Sequence, residues 1–157
     1  MSAAAKTVAQ RPPRSVRWAN TVMTWMLRRG AGPPFLRLLT VDGRISHQQR
    51  TTPVAPVTRD GQVWIVAPYG TVAWVRNVRA SRRVELRRGR EQQSYHAREL
   101  EPADAVPVLR AYLAMPTARF VRSRFDITST SSDDAVIADA LHYPVFALTP
   151  LSSSDGA

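Results

Sequence analysis

The sequence contains no cysteine, and Lys6 is its only lysine among 157 residues. The absence of cysteine excludes disulfides, thiol nucleophiles and thiolate metal sites, and it is typical of proteins from a reducing compartment. The three histidines, His47, His96 and His142, lie far apart and follow no metal-ligand spacing. We therefore expect neither covalent thiol chemistry nor a metal site.

Long apolar runs are also missing. No run reaches the ~20 residues that span a bilayer, and the N-terminus lacks the apolar segment and cleavage pattern of a signal peptide. We therefore expect a cytoplasmic protein. Because 44% of the residues are hydrophobic, the chain can bury one core, and a single domain is expected.

The charge is strongly positive and is carried almost entirely by arginine. The formal net charge is +10 and the pI is near 11.4. A guanidinium group forks onto carboxylate or phosphate oxygens, which suits phosphorylated or polycarboxylate ligands, nucleic acid or anionic lipid headgroups. The arginines are spread along the chain without a recognition helix, zinc finger or aromatic RNA-binding motif, so we expect no nucleic-acid partner.

Turn dipeptides and alternating apolar residues predict a domain over 35–151, which follows a loose basic arm over 1–14 and a helix over 15–29. Six strands are predicted, over 35–41, 50–58, 62–69, 84–88, 92–99 and 143–148, with helices from Thr71 and over 102–114. Pro53 and Pro56 predict that the second strand lies at an edge or an opening of the sheet. Hairpin connections predict a small antiparallel barrel with helices, an α+β fold. Residues 117–139 give no clear pattern.

The helix over 15–29 is amphipathic. Trp18, Val22, Trp25 and Met26 lie opposite a polar stripe, and arginines flank them. This apolar face fits either packing on the barrel or contact with an anionic membrane surface.

Three segments, in order, resemble the F-420-dependent nitroreductase and F-420H2-dependent quinone reductase family of split β-barrel flavin and deazaflavin oxidoreductases. Residues 38–46 with 50–53 are similar to the family's turn TTGRKSG and the strand that begins R-TP. Residues 66–70 resemble the strand end beside the deazaflavin ring, and residues 74–80 match the helix WxxNLRA. The resemblance covers about residues 36–86.

The resemblance implies a six-stranded antiparallel split β-barrel, FMN-binding-like and often a homodimer. It implies hydride transfer from reduced coenzyme F-420 to a quinone, nitro compound or similar hydrophobic acceptor, with FMN a less favoured ligand. The coenzyme's anionic tail would meet the turn and the strand after it, at Arg44, Ser46, Arg50, Thr51, Thr52 and Pro53. The ring would lie against the next two segments, at Ala67, Pro68, Tyr69, Gly70, Thr71, Trp74 and Asn77. Tyr112, Tyr69 or solvent would deliver the proton.

Three residues depart from the family pattern. Ile45 replaces a lysine, His47 replaces a glycine, and Phe120 stands in a stretch where relatives carry tyrosines. Without the resemblance, Arg44 and Arg50 fit solvated surface charges. Trp74 then fits a core position equally well. The alternative function is a non-catalytic barrel that binds a lipid, a fatty acyl chain or another flavin-like ligand.

Overall fold

The chain forms seven strands and four helices over the described residues, 14–152 of a computed structural model. The predicted arm over 1–14 lies outside them except for Arg14. The strands are β1 Arg37–Asp42, β2 Gln49–Val54, β3 Val57–Arg59, β4 Gln62–Val66, β5 Arg83–Arg88, β6 Glu91–Glu99 and β7 Val145–Pro150. The helices are α1 Arg14–Arg28, α2 Ala73–Ser81, α3 Pro102–Ala114 and α4 Asp133–Ala140.

All seven strands belong to one curled antiparallel sheet in the order β2-β1-β5-β6-β7-β4-β3. The α+β split-barrel class expected from the sequence is confirmed. The predicted strand over 50–58 is corrected, because it is two strands separated by Ala55 and Pro56. Proline donates no backbone hydrogen bond, so the run cannot pair continuously. β2 and β3 form the two opposite edges of the sheet, and the strand count is seven rather than six.

Two apolar cores lie on opposite faces of the sheet. β4 contributes to both, because successive strand residues point to opposite faces: Ile65 joins one core and Val66 joins the other. The core inside the curl also contains Val75 and Val78, which attach α2 to the barrel. The second core is built from β-strand residues, α3 and α4, and includes Tyr112, Phe125 and Tyr143. α2 therefore has a fixed position over the barrel.

The segment over 117–139, which has no clear sequence pattern, contains two short 3-10 turns and then α4. The turns span Pro116–Phe120 and Arg122–Arg124. The Ser132 hydroxyl accepts a hydrogen bond from the Ala135 amide at 3.4 Å and begins α4. The aromatic ring of Phe125 packs 4.3 Å from that of Tyr143, which anchors the turns to the second core.

The N-terminal helix packs on the sheet through a different face from the one the sequence suggested. Leu27 is fully buried and Met23 is half-buried, and α1 contacts β1, β2 and β5. Trp18 and Trp25 point away from the barrel and remain 73% and 58% exposed. Trp18 precedes Leu27 by nine residues, which is half a turn out of phase in an α-helix. Among the described residues no helix is both long and apolar enough to cross a membrane.

Candidate functional site

The basic turn between β1 and β2 folds tightly on itself. The Gly43 amide donates to the Gln48 carbonyl oxygen at 2.8 Å, and the His47 amide donates to the Gly43 carbonyl oxygen at 2.9 Å. A Cβ atom at Gly43 would lie 2.8 Å from Ser46 Oγ and 3.1 Å from the Gln48 carbonyl oxygen, so a larger residue would loosen the turn. His47 adopts a left-handed φ of 55°, at the position where the family pattern has glycine. The turn therefore fixes where Arg44 and Ser46 lie.

Asn77 joins this turn to helix α2. Its side chain is only 5% exposed, and its Oδ1 accepts hydrogen bonds from the Arg44 amide at 3.2 Å and from the Arg44 guanidinium at 3.1 Å. These bonds bring together two of the segments that the resemblance identified, although 33 residues separate Arg44 from Asn77. Asn77 therefore braces the turn.

The second strand continues the predicted site. In the pairing of β1 with β2, Arg50 lies opposite Val41 and Thr51 lies opposite Thr40, with 3.0 Å between the two threonine hydroxyl oxygens. Thr52 and Pro53 follow, opposite Leu39 and Leu38, and both are half-buried. Arg50 is exposed next to the basic turn.

The loop between β4 and α2 contains the remaining ring-binding candidates. Ala67 is fully buried in the core, Gly70 has a left-handed φ of 74°, and the Gly70 amide donates to the Ala67 carbonyl oxygen at 3.1 Å. Pro68 and Thr71 are half-buried. The helix begins after Val72 without a side-chain cap and without an acidic residue in its first turn. Its first amides and the positive end of its dipole are therefore open to an anion.

Trp74 lies at the border between core and surface. Its half-buried ring is 6.2 Å from that of Phe146 and packs against the core inside the curl. Asn77 follows Trp74 by three residues, so both lie on the same face of α2. One helix face thus carries both the brace of the turn and the tryptophan.

Tyr69, Tyr112 and Arg124 form a second group beside the loop. The Arg124 guanidinium carbon lies 4.1 Å from the centre of the Tyr69 ring. Tyr112 is 5% exposed, and burial, with a smaller electrostatic contribution from Tyr69, raises its pKa to about 12. Tyr112 therefore keeps its proton at neutral pH. The resemblance names Tyr112, Tyr69 or solvent as the proton donor and does not include Arg124, because nothing in the sequence brings residue 124 to residue 69.

The arginines of the turn and the second strand differ from other arginines in their partners. Over residues 14–152, neither Arg44 nor Arg50 forms an ion pair with a carboxylate. By contrast, Arg79 on α2 binds Glu99 through two hydrogen bonds of 2.7 and 2.8 Å, and this hydrogen bonding raises the pKa of Arg79. The two guanidinium groups near the turn remain available to an anion.

Two cavities lie elsewhere on the molecule. One, of about 240 Å³, is beside the Arg79–Glu99 pair, and the other, of about 590 Å³, is lined by Phe35, Tyr95 and residues from the far ends of the strands. Neither is lined by a residue of the predicted site. The predicted turn and the predicted ring-binding loop lie at the other end of the sheet, where β1 and β4 end.

The residues that depart from the family pattern are exposed. Ile45 is 80% exposed between Arg44 and Ser46, and Phe120 is exposed with the Arg119 guanidinium carbon 4.7 Å from its ring centre. An apolar side chain thus stands where the family pattern places a cation.

Comparisons with known proteins identify a family by its sequence model and a fold by solved structures. The family model described as F-420H(2)-dependent quinone reductase matches residues 15–127. A solved F-420-H2-dependent reductase, FDR-A, is 23% identical with a TM-score of 0.52, and the match covers 74% of this chain and 95% of that one. A structure described as a domain-swapped dimer is 20% identical with a TM-score of 0.54, covering 86% and 99%. The comparison with curated proteins finds no match.

Proposed function

This chain belongs to the F-420H(2)-dependent quinone reductase family, and from that premise we propose that it reduces a quinone, a nitro compound or a similar hydrophobic ring. It is an F-420-dependent reductase. When bound, the coenzyme supplies the hydride, so this chain's residues have to bind and orient the two rings and exclude water. The observation that carries the proposal is the pair of hydrogen bonds from Arg44 to Asn77, because it joins the basic turn to the helix behind the ring-binding loop.

The chemistry of the available donors fits an anionic coenzyme. Arg44 and Arg50 have no carboxylate partner in the described part of the chain, and the first turn of α2 contains no acidic residue. In the proposed arrangement these guanidinium groups, with the hydroxyls of Ser46, Thr51 and Thr52, bind the phosphate and carboxylates of the tail. Pro53 belongs to the same strand, β2, as Thr51 and Thr52.

The proposed place of the coenzyme ring is the loop that precedes α2 and the first turns of that helix. In this arrangement the half-buried Pro68 and the start of the helix at Thr71 contact the ring, and Trp74 offers an aromatic wall. Ala67 and Gly70 are buried and shape the loop through their backbone hydrogen bonds. Tyr69 is the proposed proton donor to the acceptor. Tyr112, buried beside it, is proposed to orient or resupply Tyr69, because its raised pKa keeps it a hydrogen-bond donor.

Titration with coenzyme F-420 and with FMN tests the proposal, with tryptophan fluorescence as the signal. We expect F-420 to bind, and Arg44→Ala and Arg50→Ala each to weaken its binding by about 1–3 kcal/mol, the range for losing a charged hydrogen-bond partner. Arg90→Ala, in the β5–β6 turn at the other end of the sheet, is the control for net charge. Unchanged titration curves in both site variants would remove Arg44 and Arg50 from the coenzyme site.

The same titration separates the alternative function. A protein that binds a fatty acid or FMN but not F-420 would be a binding barrel rather than a reductase. Reduction of a quinone or a nitro compound by reduced F-420, followed through the absorbance of the coenzyme, would assign the acceptor class.

We also propose that α1 holds the enzyme on an anionic membrane, where a lipid-soluble quinone is found. The support is a stripe formed by Trp18, Val22 and Trp25, which is exposed among the described residues. Arg17, Arg28 and Arg29 flank the stripe, and the Arg29 guanidinium carbon lies 4.0 Å from the centre of a Trp25 ring. Tryptophan and arginine together favour the headgroup region of an anionic bilayer.

Flotation with vesicles tests this assignment. The protein should float with vesicles that contain phosphatidylglycerol and not with pure phosphatidylcholine vesicles, and Trp18→Ala with Trp25→Ala should abolish flotation. The partly buried Trp64 and Trp74 are not changed in that variant. If the protein is instead a homodimer that the same double variant dissociates in light scattering, the stripe is a subunit contact and the membrane proposal is wrong.

A further inference from the structure

Arg124 occupies an unusual place for an arginine on this surface. Its side chain is half-buried, its guanidinium carbon lies over the Tyr69 ring at 4.1 Å from the ring centre, and its backbone carbonyl oxygen accepts a hydrogen bond from the Tyr143 hydroxyl. The adjacent Phe125 ring is inserted between Tyr112 and Tyr143 in the second core. Both the backbone and the side chain of Arg124 are thus held in place.

The guanidinium over the Tyr69 ring keeps its hydrogen-bonding capacity. A cation over an aromatic ring needs no N–H donor for that contact, so the guanidinium retains donors that can fork onto an oxyanion. No carboxylate among the described residues forms an ion pair with Arg124. Residues 115–125 contain three arginines and no acidic residue, and the exposed Asp126 is the first acidic residue after them.

The other two arginines of this segment are engaged elsewhere. Arg122 donates to the Leu113 carbonyl oxygen at 3.1 Å, and Arg119 lies over the exposed ring of Phe120. Arg124 is therefore the arginine of the segment that is placed at Tyr69, the residue proposed to give the acceptor its proton.

We propose that Arg124 binds an anionic substituent of the acceptor, so that this enzyme prefers ring acceptors that carry a carboxylate. The inference rests on the proposed function, because it takes Tyr69 as the meeting point of coenzyme and acceptor. The reaction itself is unchanged: the acceptor quinone gains a hydride from reduced F-420 and a proton, and becomes a hydroquinone while the coenzyme is oxidised. The carboxylate is not consumed and serves only to orient the ring.

A naphthoquinone with a propionate side chain and its methyl ester provide a matched pair of acceptors. The saturated carbons insulate the ring from the end group, so the two rings have similar shape and electron demand while only one acceptor carries a charge. We expect the wild-type protein to have the higher kcat/KM for the carboxylate. Arg124→Met should lower kcat/KM for the carboxylate about 10- to 100-fold, the effect of losing a charged hydrogen bond, and change that for the ester by less than about threefold. Arg124→Lys keeps the charge but not the bidentate geometry of the guanidinium. Its kcat/KM for the carboxylate should lie between the wild-type and Arg124→Met values.

Arg90→Met is the control for net charge. This variant should leave the ratio of kcat/KM for the carboxylate to kcat/KM for the ester unchanged. An equal loss in Arg90→Met would mean that the overall positive charge, rather than Arg124, selects the acceptor. The proposal is wrong if the ratio of kcat/KM for the carboxylate to kcat/KM for the ester is the same in Arg124→Met and wild type. It is also wrong if the only effect of Arg124→Met is weaker binding of F-420.

A measurement without coenzyme keeps this test separate from the proposed function. The carboxylate should quench tryptophan fluorescence at lower concentration in wild type than in Arg124→Met, while the ester should not distinguish them. If F-420 binds none of the proteins, the reductase proposal fails even when this difference is found. If F-420 binds normally and the difference is absent, only the role of Arg124 fails. Urea unfolding of each variant confirms that the comparison is between folded proteins.

Discussion

Replacement of Asn77 is the sharpest test of how the candidate site is assembled. Asn77→Ala removes the oxygen that accepts from both the amide and the guanidinium of Arg44, at 3.2 and 3.1 Å. A neutral hydrogen bond contributes about 0.5–1.5 kcal/mol and a charged one about 1.5–3 kcal/mol. Because Arg44 is exposed and both bonds are long, the lower halves of these ranges apply. We expect the free energy of unfolding to fall by about 2–3 kcal/mol.

For a chain of this size, that loss lowers the melting temperature by ~4–12 °C. Urea unfolding gives the free energy, and a change in the midpoint without a change in the slope identifies a loss of stability alone. The F-420 dissociation constant is measured on the same samples, because a loosened turn should also release Arg44 from the tail.

Asn77→Asp separates the two effects. The carboxylate has nearly the same shape and still accepts both hydrogen bonds, so the protein should keep its stability to within about 1 kcal/mol. The new charge pairs with Arg44 and competes with the anionic tail, so F-420 should bind about tenfold more weakly. If Asn77→Ala unfolds at the wild-type midpoint, the bond between turn and helix does not hold the site together. If Asn77→Asp binds F-420 normally, Arg44 does not contact the coenzyme.

Three further predictions concern stability. Arg88→Met should destabilise the protein by about 2–4 kcal/mol, because the Arg88 guanidinium donates to four carbonyl oxygens in the loop 30–36. Thermal unfolding tests this, with Arg90→Met measured in parallel as the control. Gly89→Ala should cost about 1–3 kcal/mol, since its Cβ would lie 3.1 Å from the Gly30 Cα at a φ of 57°; an unchanged midpoint would contradict the close approach. The raised pKa of Tyr112, about 12 when folded and about 10 when unfolded, stabilises the fold below pH 10, and this contribution is lost as pH rises to 12. Relative to Tyr112→Phe, the wild type should therefore lose roughly 2–3 kcal/mol over that interval in urea titrations, and parallel curves would refute the assignment.

Local patterns predicted most of the elements. The helix over 102–114 begins at a proline suited to a first turn and has the bounds expected. Prolines in the second predicted strand indicated an edge, and both resulting strands are edges. The sequence did not predict that this strand is divided into β2 and β3 at opposite edges of the sheet. The strand with which each half pairs depends on contacts between residues far apart in the chain.

The face on which α1 packs could not be read from its periodicity. The tryptophan stripe and the stripe that contains Met23 and Leu27 are both apolar, and helical spacing alone does not rank them. Met23 and Leu27, which are smaller than tryptophan, are on the side of α1 that packs on β1, β2 and β5. Arg88 of β5 also binds the loop 30–36 through hydrogen bonds to its carbonyl oxygens. The tryptophans are left outside.

The sequence by itself determined the α+β class, the positions of the tight turns and the family, because these depend on local backbone preferences and on short ordered motifs. It could name Arg44 and Asn77 as candidates but could not join them, and it had no means of placing Arg124 on Tyr69. Those contacts connect residues 33 and 55 positions apart in the chain. Only the curled sheet, with α2 packed over it and Phe125 buried in the second core, brings such distant residues to one surface.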